Sequence, residues 1–543
     1  MRRALRYIIL TVALIFASAA EAQEAHPSPA DSDVVTQWQK LSQVYRYLNG
    51  WYVDDVDMKL LVEKAICEML AELDPHSAYL DAEQTNDARE SIDGEFSGIG
   101  IEFNTLRDTI IVVNTIVGSP AEAVGVRAND RIVRIDATDA VGMRQNDVPK
   151  YLRGPRGSNV EIGVVRHGEP QPLSFRITRD NIPINTVSAS YVADNQIGYI
   201  KIDRFGRTTF REFKDAFQKL KRGGVRSLIL DLRGNSGGLM EAAIDIAGFF
   251  LPSETAIVTT EGRAIDSRQY TARDGGDFTK GNVVVMIDES SASASEIVAG
   301  ALQDWDRAVI IGRPSFGKGL VQRQIPLVDG SAMRLTVARY HTPSGRVIQR
   351  PYENGHRDEY YTAHRMRFAY STDSIAIDST APAYKTKIYG RTVYGGGGIR
   401  PDEIVAADTT SVPKYMVELI MRGVIREYVI QYLDTHRAEL NILYPDFEIF
   451  DKEFAVTDYM LDEMATLGEE RSVKYDNLGL TESKQLISLQ IKALVAQRLF
   501  SATEFYRVVN NSDSGGRWLN RAVEILNDWK HLGEPVLKGR TDN

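Results

Sequence analysis

The sequence predicts a multidomain α/β protein. Three observations carry that expectation. Apolar strands alternate with helical segments between about Ile197 and Gly330, and short β-branched runs broken by Gly, Pro, Asn and Asp fill residues 94–180. Helix-spaced apolar positions dominate the two ends of the chain. With 543 residues, 43% hydrophobic and 25% charged, the chain has room for several separate cores of about 100–200 residues each. The expected organisation is a leader over residues 1–22, an N-terminal helical region over 23–93, a β-rich module over 94–180, a βαβ core over 181–404 and a C-terminal helical region over 405–543.

The leader places Arg2, Arg3 and Arg6 ahead of an apolar run from Tyr7 to about Ala17, then small residues ending in Ala20-Glu21-Ala22. This is the pattern of a secretory signal cleaved before Gln23, and the run falls short of the roughly 20 residues a membrane anchor needs. An exported, periplasmic protein is expected. Past a polar Pro/Ser/Asp stretch, Leu61, Ala65, Ile66, Met69, Leu70 and Leu73 keep helical spacing up to Asp74-Pro75. Cys67, the one cysteine, falls in that run and is expected as a buried core thiol, neither nucleophile nor ligand. In the β-rich module the strand-like runs IGIEF, TIIVVNTI, RIVRID, VEIGVV and LSFRIT are interrupted by one helical insert, SPAEAVG. The core alternates IGYIKI, a helix from Thr208 to Lys221, SLILDL, a helix from about Leu239, NVVVMID, a helix from about Ser293 and AVIIG, the signature of parallel strands joined by crossovers. Thr209-Phe-Arg-Glu212 reads as a capping box for the first of these helices. MRLTVARY adds a strand, YGGGGIRPD a turn, and segments such as VELIMRGVIREYVIQYL make the C-terminal region amphipathic and helical. Those helices are expected to cover the core or to form a homo-oligomer or adaptor surface. A formal charge of −10 without a basic stripe excludes nucleic acid as a partner.

Three motifs carry chemistry. Gly234-Asn-Ser236-Gly-Gly238 follows a strand and precedes a helix, the setting of a hydrolase nucleophile at Ser236; the alternative is a glycine turn whose amides face a cleft. A hydrolase of that kind also needs a histidine, and His341, His356 and His364 lie in no recognisable strand-end context. Gly312-Arg-Pro-Ser-Phe-Gly-Lys318-Gly319 resembles a phosphate loop, but Gly319 stands where Ser or Thr must hold Mg²⁺. Lys318 then reads either as a desolvated base or as a solvated loop lysine. Ser291-Ala-Ser293-Ala-Ser295-Glu296 lies between a buried strand and a helix, which suits acyl transfer at the helix N-terminus and equally suits a plain N-cap with Glu296 as its partner.

Taken together, DESSASASEIVAGALQDWDRAVIIG, PSFGKGLVQ and LILDLRGNSGG resemble the carboxy-terminal-processing (tail-specific) serine peptidases over roughly residues 35–350. The resemblance implies Ser293 as nucleophile, Lys318, 25 residues later, as base, and Gln322 as the residue orienting it. It implies an oxyanion hole from the N–H of Ala294 and of Gly237 or Gly238, with no cofactor and no metal. It further implies that the β-rich module is a PDZ domain whose loop Ser97-Gly98-Ile99-Gly100-Ile101 takes the apolar C-terminal tail of a protein or peptide substrate. Two other readings compete with it: an inactive PDZ-bearing binding protein, and an esterase that uses Ser236.

Overall fold

The computed structural model describes residues 29–106, 108–116, 118–166, 168–273, 275–369, 381–405, 413–512 and 516–539. The leader expected over residues 1–22 lies outside them. The chain divides into two compact units, one up to Met69 and one from Leu70 to Asn543. In the first, helix Pro29–Trp51 is followed by helix Met58–Ala71, which runs on into the second unit. The apolar spacing over 61–70 is helical as expected, but Cys67 is exposed, not buried. Leu60, Leu61, Val62 and Met69 on the same helix are exposed too. Periodicity marks a face that could be covered; it does not supply the cover.

In the second unit the chain opens with the edge strand β1 (Ala78–Leu80), then helix Ala82–Asp93 and β2 (Glu95–Gly98). The β-rich module follows with β3 (Ile101–Leu106), β4 (Thr109–Thr115), β5 (Arg131–Ile135), the short β6 (Thr138–Asp139), β7 (Asn159–Val165) and β8 (Leu173–Thr178). These make one antiparallel sheet in the order β3-β4-β5-β7-β8, with β6 on β5, so β3 is an edge strand. Ile110, Val112, Ile132, Ile162 and Ile177 form its core, and SPAEAVG supplies the short helix Pro120–Ala123. β9 (Asp180–Pro183) returns to pair with β2, tying the module's two ends together.

The core is built on β10 (Val187–Asp194), β11 (Ile197–Ile202), β12 (Ser227–Asp231), β15 (Val283–Ile287), β16 (Val309–Gly312) and β21 (Glu403–Ile404) in that spatial order, parallel from β11 onward. β11 and β15 are buried along their whole length, as expected of strands covered on both faces. Helices Thr209–Arg222, Met240–Phe250 and Ala294–Asp304 pack one face. The capping box expected at Thr209 does not form: Glu212 accepts the amides of Thr186 and Val187 and the Thr186 hydroxyl instead. A tertiary bond to a strand end has outcompeted the local one.

A second, antiparallel sheet joins β1, β13 (Ala256–Glu261), β14 (Arg268–Thr271), β17 (Leu320–Pro326) and β18 (Ala332–His341), with β18 pairing to β1, β13 and β17. β19 (Ala383–Lys385) and β20 (Thr392–Tyr394) make a separate hairpin. Helices between Lys414 and Asn510 form their own apolar core, while helix Gly516–Asn527 closes the other face of the parallel sheet through Leu519, Ala522, Ile525 and Leu526. The helical bundle also touches the β-rich module: Ile430 packs on Ile111 and Val113 of β4, and Arg131 pairs with Asp434 at 3.5 Å. Among the described residues no helix is long and apolar enough to cross a membrane.

Candidate active site

In an open parallel sheet the crevice lies beyond the carboxyl ends of the strands, where the loops converge. Here those ends belong to β12, β15 and β16. After β12 the chain turns through Gly234–Gly238, and after β15 it turns through Ser290–Ser293 into helix Ala294–Asp304. Buried Asn235 joins the pieces: its Nδ2 donates to the Ile202 carbonyl of β11 at 2.9 Å and its Oδ1 accepts the Gly237 N–H at 2.8 Å. The Asn235 carbonyl accepts the Ala292 amide at 3.0 Å and the Ser295 hydroxyl at 2.9 Å. A Cβ on Gly237 would lie 2.8 Å from both the Ala292 oxygen and the Ser293 Cβ, and 3.0 Å from the Ala294 nitrogen. One on Gly238 would sit 2.0 Å from the Phe205 oxygen. Both positions have positive φ, 105° and 143°, so glycine is required twice over.

Ser293 stands at φ 52°, ψ −110°, backbone that a residue with a Cβ adopts only when its surroundings impose it. The imposing group is Glu296, almost fully buried. Its Oε2 accepts the amides of Ser293 and Lys318, each at 2.8 Å; its Oε1 accepts the Gly317 amide at 2.7 Å and the Ser315 hydroxyl at 2.5 Å. Burial raises the Glu296 pKa while these four bonds hold it down. The buried Tyr340 hydroxyl adds a second tie, donating toward the carbonyls of Lys318 at 2.7 Å and Ser293 at 3.2 Å. Two loops 25 residues apart in sequence are thereby fastened to one carboxylate and one phenol.

Lys318 lies on the loop between β16 and β17. Its Nζ donates to Gln322 Oε1 at 2.8 Å, and Gln322 Nε2 donates to the His76 carbonyl at 2.7 Å. Burial of the ammonium, reinforced by the Arg334 cation and opposed by Glu296 and Asp74, brings the Lys318 pKa down from 10.5 to about 8. The His76 ring is pushed down to about 4 by burial and then by the Lys318 charge, so it is neutral at physiological pH. Its Nδ1 lies 3.2 Å from the Tyr361 hydroxyl.

One cavity of about 940 Å³ is lined by Ser293, Lys318, Gln322, Gly237, Gly238 and Tyr340. Ala294 is fully buried just behind it, as the first residue of the helix. Of the two candidate glycines, Gly237 spends its amide on Asn235, whereas Gly238 donates to no partner among the described residues. Ser236 is exposed at the rim of the same cavity, with no hydrogen bond to a histidine among the described residues. Sequence reasoning missed His76, Asp74 and Tyr340. For the first two a signal existed: Asp-Pro-x-Ser is turn grammar, and Asp74 Oδ1 accepts the His76 and Ser77 amides. Nothing local marks the Tyr340 hydroxyl. In the β-rich module, Ser97 and Gly98 fall on β2, Ile99 is buried in the core, and Ile101 begins the edge strand β3. Gly100 turns the chain between them at φ 77°.

Residues 196–354 match peptidase family S41, residues 97–177 the PDZ domain, and residues 5–84 the N-terminal domain of the activating protease CtpB; residues 415–501 match a family of unknown function. A carboxy-terminal-processing protease of Bartonella bacilliformis is 40% identical over 352 residues, 64% of this chain and 80% of that protein. The chain belongs to the carboxy-terminal-processing protease family. It is therefore a serine peptidase with a PDZ domain, a peptide- or protein-binding module. The carboxy-terminal processing protease CtpB of Bacillus subtilis is 36% identical, over 59% of this chain and 67% of its own. Among solved structures, the photosystem II D1 C-terminal processing protease is 32% identical over 57% of this chain and 83% of its own, with a TM-score of 0.33.

Proposed function

We propose that this protease is an exported endopeptidase cutting proteins near their C-terminus with a Ser293–Lys318 dyad. The observation that carries the reading is a lysine amine, desolvated and held by Gln322, sharing a cavity with a strained serine at a helix N-terminus. Neutral Lys318 takes the Ser293 Oγ proton as the oxygen attacks the scissile carbonyl. The tetrahedral oxyanion is received by the N–H groups of Ala294 and Gly238, the glycine whose amide is not already committed, with the positive end of the helix behind them. The Lys318 ammonium then protonates the leaving amine, giving the acyl-enzyme. Water, deprotonated by the same amine, releases the acyl group and restores Ser293. Gln322 acts through Lys318, fixing the direction of its amine.

The PDZ domain selects the substrate by its tail. The amides of Ile99 and Gly100 lie outside any strand and donate to no protein acceptor among the described residues. They are available to a terminal carboxylate, while the edge of β3 is open to an added peptide strand carrying an apolar terminal side chain. The domain limits are taken as 94–180 for the PDZ domain, 181–404 for the peptidase core and 405–543 for the helical region. The reading of export is supported by Arg2, Arg3, Arg6 and the Ala-Glu-Ala end of the leader, and the proposed compartment is the periplasm.

The test is cleavage of casein and of a peptide with an apolar free C-terminus by the wild type, Ser293→Ala, Lys318→Ala and Ser236→Ala. Loss in the first two with Ser236→Ala active is expected. Activity that survives in Ser293→Ala, or is lost only in Ser236→Ala, would overturn the dyad.

A further inference from the structure

The cavity around Ser293 and Lys318 carries an unanswered positive charge. Arg334, on β18, lines it alongside Gln322 and Lys318. Its side chain is half-buried. β18 is flanked by β1 and β17, and the residues directly opposite Arg334 are Ala78 and Gln324, so neither neighbouring strand presents a carboxylate at that position. Asp74 commits its oxygens elsewhere: to the His76 and Ser77 amides, the Ser77 hydroxyl and the Thr336 hydroxyl. Of the acidic residues on the cavity wall, Asp203 is paired with Lys201, and Glu241 makes no ion pair with Arg334. No Asp or Glu among the described residues forms an ion pair with Arg334, whereas buried or part-buried arginines elsewhere in the core are paired: Arg313 with Glu289, Arg346 with Asp304 and Arg391 with Asp306.

A guanidinium holds its charge at every physiological pH and offers a planar fork of N–H donors that matches a carboxylate. Withdrawing it part-way from water without a partner is unfavourable, and a ligand that brings the missing anion recovers that cost. In this cavity the ligand is the substrate chain. We propose that Arg334 receives a carboxylate of the bound peptide, and so gives the protease a preference for negative charge beside the scissile bond. The source is either an acidic side chain or the free C-terminal carboxylate of a short leaving segment. The proposal rests on the Ser293–Lys318 reading of the cavity. It also implies a division of labour: the PDZ domain selects the tail's end, and Arg334 selects what flanks the cut.

The seated carboxylate has a second effect. Arg334 is the leading electrostatic influence holding the Lys318 pKa down, so neutralising it makes Lys318 a poorer free base at pH 7. The preference for acidic peptides is therefore expected in KM, with kcat unchanged or lower.

The experiment compares matched peptides that carry Glu or Gln at each of three positions on either side of the cut, and peptides ending shortly past the cut as free acid or amide. They are assayed with the wild type, Arg334→Gln and Arg334→Lys, with Ser293→Ala as the control for the dyad. The wild type is expected to favour the carboxylate about tenfold or more in kcat/KM at one position or at the free terminus, the size of a charge-assisted hydrogen bond. Arg334→Gln loses that ratio and Arg334→Lys keeps part of it. The Glu/Gln set and the acid/amide set separately identify the source. A wild type indifferent to every carboxylate, or an Arg334→Gln variant that keeps the ratio, overturns the proposal. Cleavage surviving in Ser293→Ala would instead overturn the dyad, since the Arg334 test reads only a ratio between substrates. Folding of the variants is checked by their thermal unfolding.

Discussion

Glu296→Gln separates the clamp from the chemistry. The native carboxylate accepts on both oxygens, with Ser293 and Lys318 N–H on one and Gly317 N–H and Ser315 Oγ–H on the other. A carboxamide replaces one oxygen with an NH₂ that can only donate. If the NH₂ faces Ser315 and Gly317, the serine hydroxyl can rotate but the Gly317 amide is orphaned; if it faces the other way, the Ser293 and Lys318 amides both are. A buried, unsatisfied donor costs about 1–3 kcal/mol, so the substitution is expected to cost about 2–4 kcal/mol once added donor–donor contact is included. That is a large part of the stability of an ordinary domain, but it leaves the protein folded. Urea denaturation reads this loss. The catalytic consequence has a defined sign. Glu296 raises the Lys318 pKa, so removing its charge lets that pKa fall and moves the acidic limb of kcat/KM to lower pH, while the released Ser293 loop lowers the plateau. A stability loss under about 1 kcal/mol with an unchanged plateau would refute the clamp. An acidic limb that stays in place would refute a charged Glu296 in the native enzyme.

In the wild type, a Lys318 pKa of about 8 makes the free-amine fraction about one tenth at pH 7 and about nine tenths at pH 9. kcat/KM should therefore rise nearly tenfold between them, and a flat profile over that range would remove Lys318 as the base. Gly238→Ala drives a methyl against the Phe205 oxygen, 2.0 Å away, at a φ of 143°. It is expected to abolish cleavage and lower the melting temperature, whereas Ser236→Ala two residues earlier should change neither. Ile430→Ala empties a site packed on Ile111 and Val113 and should cost about 2–4 kcal/mol. Hydrogen exchange should show Thr109–Thr115 losing protection together with the helix around Ile430; unchanged protection of that strand would mean the contact does not support it.

How much of this was legible in the sequence depended on the range of the interaction. The βαβ core was readable because a strand buried on both faces must be apolar throughout, and IGYIKI and NVVVMID state that locally. The PDZ strands were readable from their β-branched runs and turn residues. The second sheet was not, beyond MRLTVARY, because β18 gains its partners from β1, more than two hundred residues earlier, and from β13. The same distance hides the support of the lysine: Gln322 is held by the backbone of His76, which reads locally only as the end of a helix-breaking Asp-Pro turn. The misreadings share one cause. Thr209 and Glu212 have capping-box spacing, and Cys67 has core spacing, but spacing describes what a segment offers. Whether Glu212 caps its helix or holds Thr186, and whether Cys67 is covered, is decided by elements the local pattern does not contain.

The C-terminal helices illustrate the same point in the other direction. Their amphipathic spacing left open whether they cover the core or make an interface, and within the second unit they meet two domains at once. Leu519, Ile525 and Leu526 close the parallel sheet, and Asn510 bonds Tyr191 at 3.0 Å and lies 3.4 Å from Arg233, just beyond β12. At its other side the bundle meets the PDZ sheet at Ile430 and Asp434. Ile111 and Val113 point away from the PDZ core that Ile110 and Val112 fill, so the bundle meets a face of the sheet. β3 keeps its unpaired side, and the amides of Ile99 and Gly100 keep theirs. A face contact of this kind can steady the PDZ sheet against the peptidase core without competing with a peptide for the edge. The helical region is therefore a brace for the PDZ sheet, packed on the parallel sheet of the peptidase core on one side and on β4 on the other.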